Sequence, residues 1–208
     1  MLDGLARRLL DPALDRLGCA LAARGVKADA LTFAGLACGL GAALAIALAA
    51  DGFALAALAA NRLLDGLDGA VARATARTDR GGFLDIVLDF ATYGAVPLAF
   101  ALRDPAANAL AAAALLFAFY LNGASFLAFA TVAAKRGLES SVRGVKSIYF
   151  TAGLAEGTET ILAFAAMILW PRYFALIALA FAGLTLMGAI ARVTLAWHVF
   201  SGDTGEEN

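Results

Sequence analysis

The sequence predicts an all-α integral membrane protein, six transmembrane helices preceded by an N-terminal amphipathic interfacial helix. Three observations carry this. Of 208 residues, 62% are hydrophobic and 16% charged, against about 25% charged in an ordinary soluble domain. The apolar residues come in six long blocks, each near the roughly twenty residues that a bilayer requires. Short charged turns separate the blocks. The net charge of −1 says little, because in a membrane chain the distribution of charge matters more than its sum. Two distant cysteines, Cys19 and Cys38, give no disulfide framework or thiolate metal site. A single histidine, His198, excludes multi-histidine zinc chemistry and argues against a histidine-based triad.

Residues 1–27 read as the interfacial helix, with Leu2, Leu5, Leu9 and Leu10 alternating with Asp3, Arg7, Arg8, Asp11, Asp15 and Arg16. Because this alternation has no continuous apolar core, a cleavable signal peptide is not expected. Pro12 is expected to break the helix or restart it. Residues 28–200 form the six-helix membrane domain. Leu31–Ala50 is a first span without charge, with Asp29 a candidate cap at its start. Asp51-Gly52 reads as a turn. Phe53–Ala74 is the second segment; its second half holds Arg62, Asp65, Asp68 and Arg73 and so must face the bundle interior or a watery cavity. After a polar turn, Phe83–Leu102 is the third, with Pro97 expected to bend it. Asn108–Ala134 is the fourth; its Asn122, Gly123, Ser125 and Thr131 read as helix-packing positions. Ser147–Trp170 is the fifth, carrying Glu156 and Glu159, and Tyr173–Trp197 the sixth, with Arg192 near its end. Residues 201–208 are expected to be a disordered tail.

Basic residues set the orientation. With a cytosolic N-terminus, six crossings leave Arg7, Arg8, Arg16, Arg24, Lys27, Arg73, Arg77, Arg80, Lys135, Arg136, Arg143 and Lys146 on the cytosolic side, and only Arg103 and Arg172 opposite. The positive-inside rule favours this arrangement. A bacterial inner membrane, with the site facing the cytosol, is the expected location.

The stretch that organises the chain runs from Asp65 to Asp89. Asp65 and Asp68 are spaced i, i+3; Asp85 and Asp89 are spaced i, i+4. On helices, each spacing puts the pair on one face. Carboxylates in apolar surroundings are expensive and are usually functional or paired. Arg62, Arg73, Arg77 and Arg80 lie nearby, so ion pairing is one reading of the second segment's aspartates. Four converging carboxylates would still repel one another, and divalent metal is the natural relief; oxygen ligands suit Mg²⁺, with Mn²⁺ possible. Two metal ions on carboxylates are a recurring device for phosphoryl displacement. The residues therefore point to metal-assisted phosphate chemistry at a membrane interface, without naming a substrate.

The same stretch resembles the signature of the CDP-alcohol phosphotransferase family, D-x-x-D-G-x-x-A-R, a spacer, then G-x-x-x-D-x-x-x-D. Asp65, Asp68, Gly69, Ala72, Arg73, Gly81, Asp85 and Asp89 occupy every fixed position. One departure stands nearby: where family members often carry Pro-Asn shortly before a Thr, this chain has Ala28-Asp29 and keeps Thr32. The resemblance implies transfer of a substituted phosphate from a CDP-linked donor to an alcohol, with release of CMP; CDP-diacylglycerol as donor would make a phospholipid. It implies a two-ion site at Asp65, Asp68, Asp85 and Asp89, with Asp89 the general base for the acceptor hydroxyl. Nucleotide binding would fall to Asp65, Asp68, Gly69, Ala72, Arg73 and Gly81. The resemblance further implies a homodimer.

The acceptor is open. Lys135, Arg136, Arg143, Lys146 and Arg192 could form a basic pocket for a phosphorylated alcohol such as glycerol 3-phosphate or an inositol phosphate. They could equally be the ordinary positive-inside excess, and serine remains possible. No nucleic-acid partner is expected. A small ion transporter or channel is the competing class, since intramembrane carboxylates also suit translocation; it predicts polar groups spread through the membrane, whereas Asp65 to Asp89 cluster on one side. A membrane scaffold without catalysis leaves the aspartate spacing unexplained.

Overall fold

A computed structural model of the protein describes residues 2–137 and 157–201, nearly all of them helical. The helices are α1 (Leu2–Ala23), α2 (Ala28–Ala47), α3 (Asp51–Ala74), α4 (Asp79–Arg103), α5 (Pro105–Lys135), α6 (Gly157–Leu169) and α7 (Phe174–Phe200), with a 3-10 turn at Pro171–Tyr173 before α7. α2 packs against both α3 and α4, α5 lies between α4 and α7, α6 bridges α3 and α7, and α1 lies along α3 and touches α6.

Among the described residues, four helices are long and apolar enough to cross a membrane: α2, α4, α5, and α7 together with its leading turn. α3, with 24 residues, is about 36 Å long, enough to span; its charged second half is what sets it apart. The expected fifth segment began at Ser147, and its first ten residues lie outside the described ones; the described part, α6, has 13 residues. Large side chains point outward along these helices, among them Leu44, Leu48, Leu110 and Trp197, as lipid-facing surfaces require.

The apolar core occupies the end of the bundle away from the aspartates. Phe100 and Phe174 stack with centroids 4.3 Å apart and an interplanar angle of 16°. Phe119, Phe164 and Phe181 meet edge to face nearby. At the same end Arg103 forms a two-bond ion pair with Asp51, joining the end of α4 to the start of α3. Asp104 caps α5, its Oδ1 accepting from the Ala107 N–H at 3.1 Å, and Pro105 opens the helix where its missing N–H costs nothing.

Three local expectations are corrected. Pro12 lies inside an unbroken α1; a proline removes one ladder bond, and packing of α1 along α3 holds the helix together across it. Asp29 does not cap α2: Lys27 is the cap residue and makes no side-chain cap bond, while Asp29 sits in the first turn and pairs with Arg80. The turn expected at Asp51-Gly52 falls earlier, where Ala49 takes φ 58°, and Asp51 begins α3. Pro97 lies inside α4, buried, in the third segment where the sequence places it.

Candidate active site

The site is built where the second half of α3 and the first half of α4 each pack against α2. The chain reverses between them at residues 75–78. Thr78 caps α4, its Oγ1 accepting from the Gly81 N–H at 3.0 Å. A Cβ on Gly81 would come 3.1 Å from that oxygen and 3.7 Å from Asp29 Oδ1, so the absent side chain permits the tight approach.

This reversal brings the two aspartate pairs together. One carboxylate oxygen each from Asp65, Asp68 and Asp85 lies within 4.8 Å of the others. Asp89 is outside that triad but lines the same small cavity, with Thr32, Asn61 and Thr92. Asp65 pairs with Arg62, one turn earlier on α3. Asp68 is buried, 7% exposed, and its Oδ2 has no hydrogen-bond partner. A buried, partnerless carboxylate oxygen among like charges is a costly arrangement, and an oxygen-only donor set fits a hard divalent cation.

Two cavities meet at the cluster. The first, about 550 Å³, is lined by Lys27, Asp29, Thr32, Arg73, Arg77 and Arg80. The second, about 590 Å³, lies between α1, α3 and α6; Leu10, Leu14, Leu63, Ile161 and Leu162 form its apolar wall, and Asp65 lies at its polar end. Asp68, Gly69, Arg73 and Asp85 line both. Of the residues expected to bind nucleotide, Asp68, Gly69, Ala72, Arg73 and Gly81 line the first cavity, and Asp65 the second.

Arg73 does not pair with Asp65 or Asp68. Its Nε and Nη2 both donate to Asp15 Oδ1 on α1, at 3.1 and 2.7 Å. Sequence reasoning missed Asp15 as a member of this site. The available signal was its i, i+4 spacing from Asp11, which lines the second cavity and shares Asp15's helix face.

The expected acceptor-binding cations that are described, Lys135, Arg136 and Arg192, fall in two places. Arg143 and Lys146 lie outside the described residues. Lys135 and Arg136 are exposed at the end of α5, where Arg136 Nη2 donates to the Phe200 carbonyl at 3.1 Å and the guanidinium lies over the Phe200 ring. Arg192 is buried at 8% exposure; its Nη1 donates to Asn122 O at 3.1 Å, and to Asn122 Oδ1 and Ser125 Oγ at 2.9 Å each. Asn122 and Arg136 are 14 residues apart on one helix, about 21 Å along its axis. Asn122 and Ser125, expected to pack helices, thus hold this cation. Gly123 does pack: a Cβ there would come 2.5 Å from the Phe90 ring of α4.

The family model described as CDP-alcohol phosphatidyltransferase matches residues 25–187. Inner membrane protein YnjF of Escherichia coli (strain K12) is 47% identical over 196 residues, covering 93% of this chain and 94% of that protein. The fold is also that of Mycobacterium tuberculosis phosphatidylinositol phosphate synthase (PgsA1). Its structure with CDP-DAG bound superposes with a TM-score of 0.60 at 18% identity, covering 88% of this chain and 93% of that one. The apo form gives 0.54 at 20% identity, covering 88% and 95%.

Proposed function

Because the chain belongs to the CDP-alcohol phosphatidyltransferase family, we propose that it moves a phosphatidyl group from CDP-diacylglycerol to the hydroxyl of a polar acceptor alcohol and releases CMP. The observation that carries this is the junction of two unlike cavities at the carboxylates: one lined by cations, the other walled by leucines and isoleucine. A donor that is half nucleotide and half lipid matches that pair. The solved neighbour with CDP-DAG bound supports the same donor class.

Asp65, Asp68, Asp85 and Asp89 would hold two divalent ions, Mg²⁺ or Mn²⁺. Bound there, such ions neutralise phosphate charge and stabilise the leaving oxygen. The chain's own residues supply the rest. Arg73, Arg77 and Arg80, which line the first cavity, hold the diphosphate by charge-assisted hydrogen bonds. Ala72 leaves room for the nucleotide beside α3, and the absent side chain of Gly69 leaves space for the Arg73 guanidinium to face it. Asp89, off the triad but in the same small cavity, takes the proton of the attacking hydroxyl.

For the acceptor, a phosphorylated alcohol such as glycerol 3-phosphate is favoured over serine, with an inositol phosphate as the alternative. Arg192 supports this: its hydrogen-bond partners among the described residues are neutral, so its charge is available to an anion. The reading places the site on the cytosolic side of a bacterial inner membrane, α1 at the interface, and the protein as a homodimer.

Incubation of purified protein with CDP-diacylglycerol and a panel of alcohols tests the function. CMP release with one acceptor, and a matching new lipid by mass spectrometry, is the expected result. No CMP with any acceptor, in Mg²⁺ or Mn²⁺, would end the proposal.

A further inference from the structure

α1 is seated on α3 by backbone-close contact. A Cβ on Gly18 would come 2.6 Å from Ala70 Cβ and 2.8 Å from the Ala70 carbonyl carbon; one on Gly66 would come 2.9 Å from Leu14 Cδ1. Asp15 lies between these two contacts, one residue after Leu14. Its Oδ1 accepts two of the Arg73 donors, Nε at 3.1 Å and Nη2 at 2.7 Å. The third nitrogen, Nη1, is not in that pair and makes no hydrogen bond among the described residues. It lies 3.3 Å from where a Cβ of Gly69 would stand, so it occupies the space that the glycine leaves, at the seam of the two cavities.

A half-exposed ion pair stabilises a fold very little. What this one settles is a direction. The guanidinium is a planar fork, and two donors on one oxygen fix its plane. The remaining donor is then presented at Gly69, on the seam of the two cavities, where a diphosphate crossing from one to the other would pass. We infer that Asp15 is a positioning residue: it holds Arg73 so that Nη1 meets the donor's phosphate across Gly69. The inference rests on the CDP-donor reading above. It makes α1 a wall of the nucleotide site as well as an interfacial helix, and it gives preorganisation of a flexible side chain as the source of affinity.

The sign of one substitution separates this from simple electrostatics. Asp15 is an anion near a phosphate site, so by charge alone Asp15→Asn should tighten nucleotide binding. Positioning predicts the opposite, a weakening of about three- to fivefold. The measurement is calorimetric titration of CMP, in Mg²⁺, into the full chain in nanodiscs. Asp15→Glu keeps a carboxylate and should recover most of the affinity. In an Arg73→Lys background, which lacks the fork, Asp15→Asn should have no further effect. Unchanged or tighter binding by Asp15→Asn overturns the inference. So does an equal loss in the Arg73→Lys background, or an Asp15→Glu variant as weak as Asp15→Asn, since either would mean that α1 packing and not Arg73 is at fault. A wild-type chain that does not bind CMP fails at an earlier point and removes the donor reading itself.

Discussion

Asn61 and Gly35 are joined by a buried hydrogen bond across two helices: Asn61 Nδ2 on α3 donates to the Gly35 carbonyl on α2 at 2.9 Å. Asn61 lies one turn before Asp65, so this bond sets the register of α3 against α2 directly beside the carboxylates. Interhelical side-chain bonds in membrane proteins contribute about 0.6 kcal/mol on average and up to about 1.7. Asn61→Leu should lower stability within that range and weaken divalent binding by loosening Asp65. Thermal unfolding in detergent beside a metal titration reads both; an unchanged midpoint with unchanged metal affinity would refute the assignment.

Gly39 and Gly41 make an internal control for packing. A Cβ on Gly39 would come 2.5 Å from Thr92 Oγ1 and 2.7 Å from its Cγ2, whereas one on Gly41 meets nothing within 4 Å. Gly39→Ala should destabilise by about 1–3 kcal/mol, because α2 must move off α4. Gly41→Ala should be neutral or stabilise by up to about 1 kcal/mol through helix propensity. Equal melting temperatures for the two variants would mean that α2 does not sit on Thr92 as described.

Asp68 carries the strongest case for a metal. Asp68→Asn removes one of three carboxylates whose oxygens lie within 4.8 Å, so it relieves repulsion. The expected outcome is a metal-free protein at least as stable as wild type, with divalent binding weakened and turnover abolished. Chelation should silence the wild type, and Mg²⁺ or Mn²⁺ should restore it. Full activity after chelator treatment would exclude the metal role.

Asp89 tests the division of labour within the aspartates. Asp89→Asn keeps size and one oxygen but cannot accept a proton. Loss of a general base typically costs about 10²–10⁴ in rate. Single-turnover CMP release should fall by that factor while metal and CMP binding persist. If raising the metal concentration restores the rate, Asp89 is a ligand and not the base.

Much of this protein is local, and local properties are readable from the sequence. Apolar blocks of bilayer length mark the helices, because a helix buries its own backbone bonds and needs only its composition to sit in lipid. The i, i+3 and i, i+4 spacings of Asp65, Asp68, Asp85 and Asp89 place each pair on one face, because helical periodicity is a property of the chain itself. What periodicity does not contain is the neighbour that a face meets. Asp29 has the position and chemistry of a cap, yet α2 begins one residue earlier and Arg80, 51 residues away, takes its carboxylate. Arg73 looks like a partner for its own helix's aspartates, yet Asp15, 58 residues away, holds it. Arg192 counts as one more cytosolic cation in the sequence, and only the packing of α7 on α5 buries it against Asn122, 70 residues away. Each of these pairings depends on how one helix is rotated and shifted against another. Glycine notches at Gly18, Gly39 and Gly123 receive Ala70, Thr92 and Phe90 of the facing helices, and the rotation that satisfies all of them at once exists only in the assembled bundle.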